Sequence, residues 1–123
     1  MIVGIGTDII EIARLARSLE KVKAHCFTPA EVDYCERFRD NLTHYAGRWA
    51  AKEAFAKALG CGFGADCAWD DLEILNNENG KPVMTIAGKA LQTFEKIGGE
   101  TIHLSISHEK NHATAFVILE GEK

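Results

Sequence analysis

No two of the four cysteines (Cys26, Cys35, Cys61, Cys67) stand at C-x-x-C spacing, which argues against a zinc ribbon or a thioredoxin-like dithiol. No apolar stretch approaches the length of a membrane span, so no membrane partner is expected. The opening Met-Ile-Val-Gly has no basic segment ahead of an apolar run; no secretory leader is expected, and reduced thiols in a cytoplasm are. Excess positive charge is missing too. Fourteen Lys and Arg stand against 18 Asp and Glu, a formal net charge of −4, so the protein as a whole is no nucleic-acid binder and any acidic partner must meet a local basic patch. The glycines at 4 and 6 do not make a dinucleotide fingerprint, because Ile9 stands where the third glycine belongs. The glycine-rich stretch 60–68 (GCGFGADCA) lacks the P-loop pattern. Ser105 and Ser107 lie in no glycine elbow and no orienting acid is evident near His108, which argues against a nucleophilic triad. Repeats, linkers and low-complexity segments are absent, and one domain over residues 1–123 is expected.

What is present is an ordinary globular composition, 46% hydrophobic and 26% charged, enough for one modest core. One stretch is strongly patterned. Residues 48–59 (RWAAKEAFAKAL) read as an amphipathic helix, with Ala50, Ala51, Ala54, Phe55 and Ala58 on one arc at about 100° per residue. The alanines leave room for another backbone to approach. Arg48 and Lys52 on one flank and Glu53 and Lys57 on the other charge the remaining arc, and Gly60 can take the left-handed conformation that ends a helix. By itself such an arc reads as a solvated face with an (i, i+4) Glu53–Lys57 pair.

Upstream, residues 2–7 predict a first strand on which Ile2, Gly4, Gly6 and Asp8 share a face. The glycines leave that face bare, so something can approach the backbone there. Asp8, at the strand's exit, has two readings: N-cap of the helix expected over about 9–22, or metal ligand. Along that helix Ile12, Leu15, Ala16 and Leu19 mark a buried stripe, while Arg14, Arg17 and Lys21 line another face. Those cations are either solvated surface or a docking strip for an acidic protein. Thr28-Pro29-Ala30-Glu31 is a capping box that opens a helix to about 38, and the central helix begins at about 42 or 43. Residues 71–75 and 83–86 flank Asn79-Gly80 and predict a hairpin. Residues 88–97 predict a further helix, and 102–108 and 113–119 two last strands. The order β-α-α-α-β-β-α-β-β predicts an α+β fold with an antiparallel sheet packed by helices. His103 and His108 fall on opposite faces of their strand, poor geometry for a shared tetrahedral zinc with His112.

Three segments carry a resemblance: GIGTD at 4–8, RWAAKEAFAKA at 48–58 and SISH at 105–108, with NGKP at 79–82 in support. In a chain this short the combination resembles the holo-acyl-carrier-protein synthases, the small bacterial phosphopantetheinyl transferases, over residues 1 to about 119. The W-x-x-K-E-A core is its most specific part; Trp49 stands where Phe is common in the family. The resemblance implies a phosphopantetheinyl transferase-like fold. It implies transfer of 4′-phosphopantetheine from coenzyme A to a serine of apo acyl carrier protein, releasing adenosine 3′,5′-bisphosphate, in fatty acid biosynthesis. It also implies a magnesium ion on Asp8 and Glu53, with Asp8, Glu53 and Lys57 as the catalytic group. Arg48, Lys57, Gly60 and His108 are then expected at coenzyme A, and Arg14, Arg17 and Lys21 at the acidic carrier. A homotrimer with its site between subunits is implied as well.

The chemistry of these residues agrees. Breaking a pyrophosphate linkage places negative charge on bridging and leaving oxygens. A hard cation offsets it, and Mg²⁺ favours one or two carboxylates plus waters and phosphates. Lys57 lies one turn beyond Glu53, within reach of a phosphate oxygen beside such an ion. The attacking hydroxyl belongs to the carrier, and its proton goes to Glu53 or to a water at the ion; the residues leave both open.

Overall fold

A computed structural model describes residues 1–122. The chain runs β1 (Ile2–Glu11), α1 (Ile12–Ala16), α2 (Leu19–Cys26), α3 (Pro29–Cys35), α4 (Asn41–Leu59), a 3₁₀ turn (Trp69–Asp71), β2 (Leu72–Asn76), β3 (Pro82–Ile86), α5 (Gly88–Lys96), β4 (Gly99–His108) and β5 (His112–Gly121). The architecture is α+β, with two antiparallel sheets rather than one: β1-β5-β4, and the β2-β3 hairpin.

The long helix α4 organises the rest. Asp40 caps its N-terminus by accepting from the Thr43 N–H, and Gly60, at φ 82°, closes its C-terminus with N–H bonds to Ala56 and Lys57. Its alanine arc packs on the inner face of the three-stranded sheet, where Ala50, Ala54, Phe55 and Ala58 meet Ala115, Val117 and Leu119. Leu72, Ile74, Met84 and Phe94 complete that core. A second cluster, built from Ile12, Leu15, Phe27, Cys35, Tyr45 and Ala113, seats the short helices on the N-terminal half of α4. The bare face of β1 is explained by α4 itself. Gly4 passes the carbonyl of Ala58 and Gly6 that of Ala54, too closely for any side chain. Two residues of strand (~6.6 Å) match four of helix (~6.0 Å), so strand and helix run past each other in step. Asp8 is the next residue in this series.

Three expectations are corrected. The first strand does not end at residue 7: it pairs with β5 as far as Glu11↔His112, so Asp8 is an interior strand residue and caps no helix. Ile9 and Ile10 fit either period, and pairing with β5 decides for the strand. The helix expected over 9–22 is two helices. α1 stops at Ala16 and Ser18 leaves helical geometry at φ −125°, ψ 19°. Arg14, Arg17 and Lys21 are all exposed, yet they lie on α1, the junction and α2 instead of along one helix face. Finally, Lys52 is not on a solvated arc but fully buried, its ammonium 2.7 Å from Glu31 Oε1.

Candidate active site

Two neighbouring regions gather the residues singled out above. The first centres on Asp8. Lys57, in the last turn of α4, donates to Asp8 Oδ1 at 2.8 Å and to the Thr7 carbonyl at 3.1 Å. The anticipated Glu53–Lys57 pair is replaced by this cross-element one. Asp8 Oδ2 is buried and has no hydrogen-bond partner among the described residues. Glu53, half-buried on the same helix, has its carboxyl held above the usual range, chiefly by burial and then by the Asp8 charge, with Lys57 pulling the other way. Lys57 is shifted upward by its bond to Asp8. Two carboxylates thus share one neighbourhood with the Lys57 ammonium, which is bound to Asp8, and one carboxylate oxygen is left unsatisfied.

That arrangement fits a hard divalent cation. An unsatisfied buried carboxylate oxygen, beside a second carboxyl raised by burial and then by the Asp8 charge, is what a site short of positive charge shows. Among the described residues no group of three or more His, Cys, Asp and Glu stands together; Asp8 and Glu53 would leave the rest of a hard ion's coordination to waters and phosphate oxygens. Gly60 caps α4 at its exposed end, three residues beyond Lys57. Asp8 itself lines a groove of ≈250 Å³ together with Ile10, Arg14, Leu15, Val22 and Trp49, so Arg14 opens onto the same region. Arg17 and Lys21 do not line it.

The second region is a cleft of ≈230 Å³ between α4, the β2-β3 hairpin and the end of β4, where Arg48 and His108 meet with Thr43, His44, Asn76 and Pro82. Arg48 is almost wholly buried. Its Nε donates to the Ile74 carbonyl at 3.0 Å and Nη2 to Asn76 Oδ1 at 2.7 Å, and the guanidinium lies over the Tyr34 ring. Its remaining N–H groups are available to the cleft. Asn76 in turn donates to the Gly80 carbonyl, and the Asn77 side chain accepts from the backbone of Asn79 and Lys81. The NGKP turn is thereby fixed against Arg48. His44 stacks on Phe38 with ring centroids 3.9 Å apart; burial, and then the Arg48 charge, hold its imidazole below the ordinary range.

Sequence reasoning missed Lys52, Glu31 and Asn76, and it left His44 without a role. Glu31 accepts from Lys52, from the Thr28 N–H of its own capping box and from the Ile74 N–H. Lys52 also donates to the carbonyls of Cys26 and Trp69. This buried pair ties α2, α3, the 3₁₀ turn and β2 to the middle of α4, one residue before Glu53.

Comparison with known proteins places this geometry. The profile of the 4′-phosphopantetheinyl transferase superfamily matches residues 4–117. The chain is 43% identical over 127 aligned residues to a holo-[acyl-carrier-protein] synthase of Syntrophus aciditrophicus, covering 100% of this chain and 99% of that protein. Among solved structures, a holo-(acyl-carrier-protein) synthase from Bacillus anthracis in complex with CoA (3′,5′-ADP) superposes with a TM-score of 0.86 at 37% identity, over 99% of each chain. The enzyme from Neisseria meningitidis superposes with a TM-score of 0.89 at 33% identity, over 98% of this chain and 99% of that one. With the profile spanning nearly the whole chain and full-length relatives above 40% identity, the chain belongs to the 4′-phosphopantetheinyl transferase superfamily.

Proposed function

We propose that this chain is a holo-acyl-carrier-protein synthase: it transfers 4′-phosphopantetheine from coenzyme A to a serine of apo acyl carrier protein, releasing adenosine 3′,5′-bisphosphate, and so serves fatty acid biosynthesis. The full-length relatives bear that activity in their names, and the Bacillus anthracis relative was solved with CoA (3′,5′-ADP). The observation that carries the site is the unsatisfied Asp8 Oδ2 beside Glu53 and Lys57.

In this reading Asp8 and Glu53 hold magnesium. When bound, the ion offsets charge building on the pyrophosphate oxygens. Lys57 binds a phosphate oxygen next to it, and Gly60 leaves the end of α4 open to the substrate. Arg48 and His108 hold the nucleotide end of coenzyme A in the second cleft, with the NGKP turn as its wall. Positioning and charge stabilisation dominate phosphoryl transfer, so the chain needs no covalent nucleophile of its own. The attacking hydroxyl is the carrier's, and the carrier docks on the side of Arg14, with Arg17 and Lys21 adding charge at the margin.

The working unit in this reading is a homotrimer of single-domain subunits. The outer face of the three-stranded sheet supports an assembly: Ile5, Ile9 and Phe116 are 59, 66 and 42% exposed there, an apolar surface of the kind that marks a contact. Cys26, Cys35, Cys61 and Cys67 are free thiols, in keeping with a reducing cytoplasm. Among the described residues no helix is long and apolar enough to cross a membrane.

The test is mass spectrometry of an apo carrier incubated with the protein, coenzyme A and Mg²⁺. The expected result is a mass gain of one phosphopantetheine, lost in Asp8→Ala and in Glu53→Ala while the trimer persists. Coenzyme A binding without any gain would reduce the protein to a nucleotide-binding module.

A further inference from the structure

We propose that Lys57 is an internal cation that competes with a divalent ion for Asp8, so that metal entry is what frees Lys57 for phosphate. The inference rests on the reading above in one respect, that Asp8 and Glu53 are the metal's ligands.

The two oxygens of Asp8 are not equivalent. Oδ2 exposes less than 1 Å² and has no partner among the described residues. Asp8 itself lines the groove shared with Arg14 and Trp49, where Lys57 takes no part, and its Oδ1 is the oxygen held by the Lys57 ammonium at 2.8 Å. The same ammonium is satisfied a second time by the Thr7 carbonyl. A cation that takes Oδ1 must therefore compete with the Lys57 ammonium already bound there. Asp8 sits in the middle of a paired strand, so it cannot easily move out to meet the ion. Lys57 can move: its side chain is 54% exposed and tethered only by a flexible stem.

Charge enforces the exchange. An ammonium and a divalent ion on one carboxylate repel each other strongly at a few ångströms. With Lys57 alone, the trio Asp8, Glu53 and Lys57 carries one net negative charge; with the ion added it carries one net positive charge, which a polyphosphate then meets. Lys57 released from Asp8 stands one turn from Glu53, where its charge adds to the ion's. Metal and phosphate binding therefore reinforce each other, and by linkage each raises the other's affinity.

Isothermal titration with Mg²⁺ alone, with Mn²⁺ paramagnetic resonance as a second probe, tests this without turnover. Wild type, Lys57→Met, Lys57→Arg and Asp8→Asn are compared, each checked by circular dichroism. Loss of one half-exposed competing cation should tighten the ion in Lys57→Met by about three- to tenfold. Lys57→Arg, which keeps the cation, should bind no tighter than wild type, and Asp8→Asn should lose the site. A Lys57→Met protein that folds but binds the ion equally or more weakly overturns the inference and leaves the proposed function standing. Undiminished binding in Asp8→Asn overturns both. Should Lys57→Met fail to fold, Lys57→Gln carries the same reading.

Discussion

Gly6 passes beneath the carbonyl of Ala54 so closely that a Cβ at residue 6 would stand 1.9 Å from that oxygen. The contact is backbone against backbone, with no flexible side chain to yield. Because Asp8 follows Gly6 on the same face, this approach also sets how far the metal ligand reaches toward α4. Gly6→Ala should force strand and helix apart, costing about 2–3 kcal/mol as overpacking does. It should weaken metal binding more than it weakens the nucleotide end, held by Arg48 and His108. Urea melts beside Mg²⁺ and coenzyme A titrations measure both; a variant as stable as wild type would mean that the helix shifts freely.

Lys52 donates all three ammonium hydrogens to buried acceptors: Glu31 Oε1 and the carbonyls of Cys26 and Trp69. Burial pulls its ammonium below the ordinary range, while the Glu31 carboxylate pushes back. Lys52→Met strands that carboxylate without a counter-ion and should cost about 3–5 kcal/mol. Thermal melts of wild type and variant measure the loss, and a Lys52→Met protein as stable as wild type would show that the buried pair adds nothing to the fold.

Much of this was legible because it is local. The capping box at Thr28–Glu31 closes over three residues, the Asn79-Gly80 turn over two, and the alanine arc of α4 within one helix, so neighbouring residue types suffice to read them. Gly4 and Gly6 announced a close approach without naming what approached. The failures are long-range. Lys52 looks like any charged residue of an outer face until Glu31, 21 residues earlier, folds over it. Lys57 has a good partner at Glu53 by helical spacing, but Asp8, 49 residues away, lies nearer. The end of β1 was misplaced because Ile9 and Ile10 satisfy two periods, and the choice belongs to the pairing with β5. Asp8 stood open between helix cap and metal ligand, and Glu53 entered as a ligand through resemblance; what the structure adds is the unsatisfied Asp8 Oδ2.

Glu53 sits where its own charge is unwelcome in the metal-free protein, through burial and then the Asp8 carboxylate. A carboxyl whose folded pKa is raised destabilises the fold above that pKa. Glu53→Gln should thus raise the melting temperature of metal-free protein at neutral pH by about 1–3 °C, while abolishing transfer. In wild type, Mg²⁺ binding needs the ionised carboxyl, so affinity should fall on acidification at a pH above the ordinary glutamate value. Since Lys57 holds that carboxyl down, Lys57→Met should move the fall to still higher pH. Scanning calorimetry of metal-free samples and Mg²⁺ titrations at several pH values supply both readings. A lower melting temperature in Glu53→Gln would contradict the electrostatic account.

Arg14 lines the groove that Asp8 also lines, whereas Arg17 and Lys21 sit beyond the break after Ala16. If the acidic carrier is met by local charge, its cations are not equal. Arg14→Glu places an acid beside Asp8 where a cation stood and should weaken carrier binding by about tenfold, with coenzyme A binding within twofold of wild type. Lys21→Glu, farther from the groove, should weaken it less. The Arg14 effect should shrink as salt rises from about 50 to 300 mM, because exposed charges beyond a Debye length are screened. Surface plasmon resonance with immobilised apo carrier at two salt concentrations, paired with coenzyme A titrations, reads each term. Equal loss of both ligands in Arg14→Glu would mean that the substitution disturbs the Asp8 site itself, and would remove the docking role of α1.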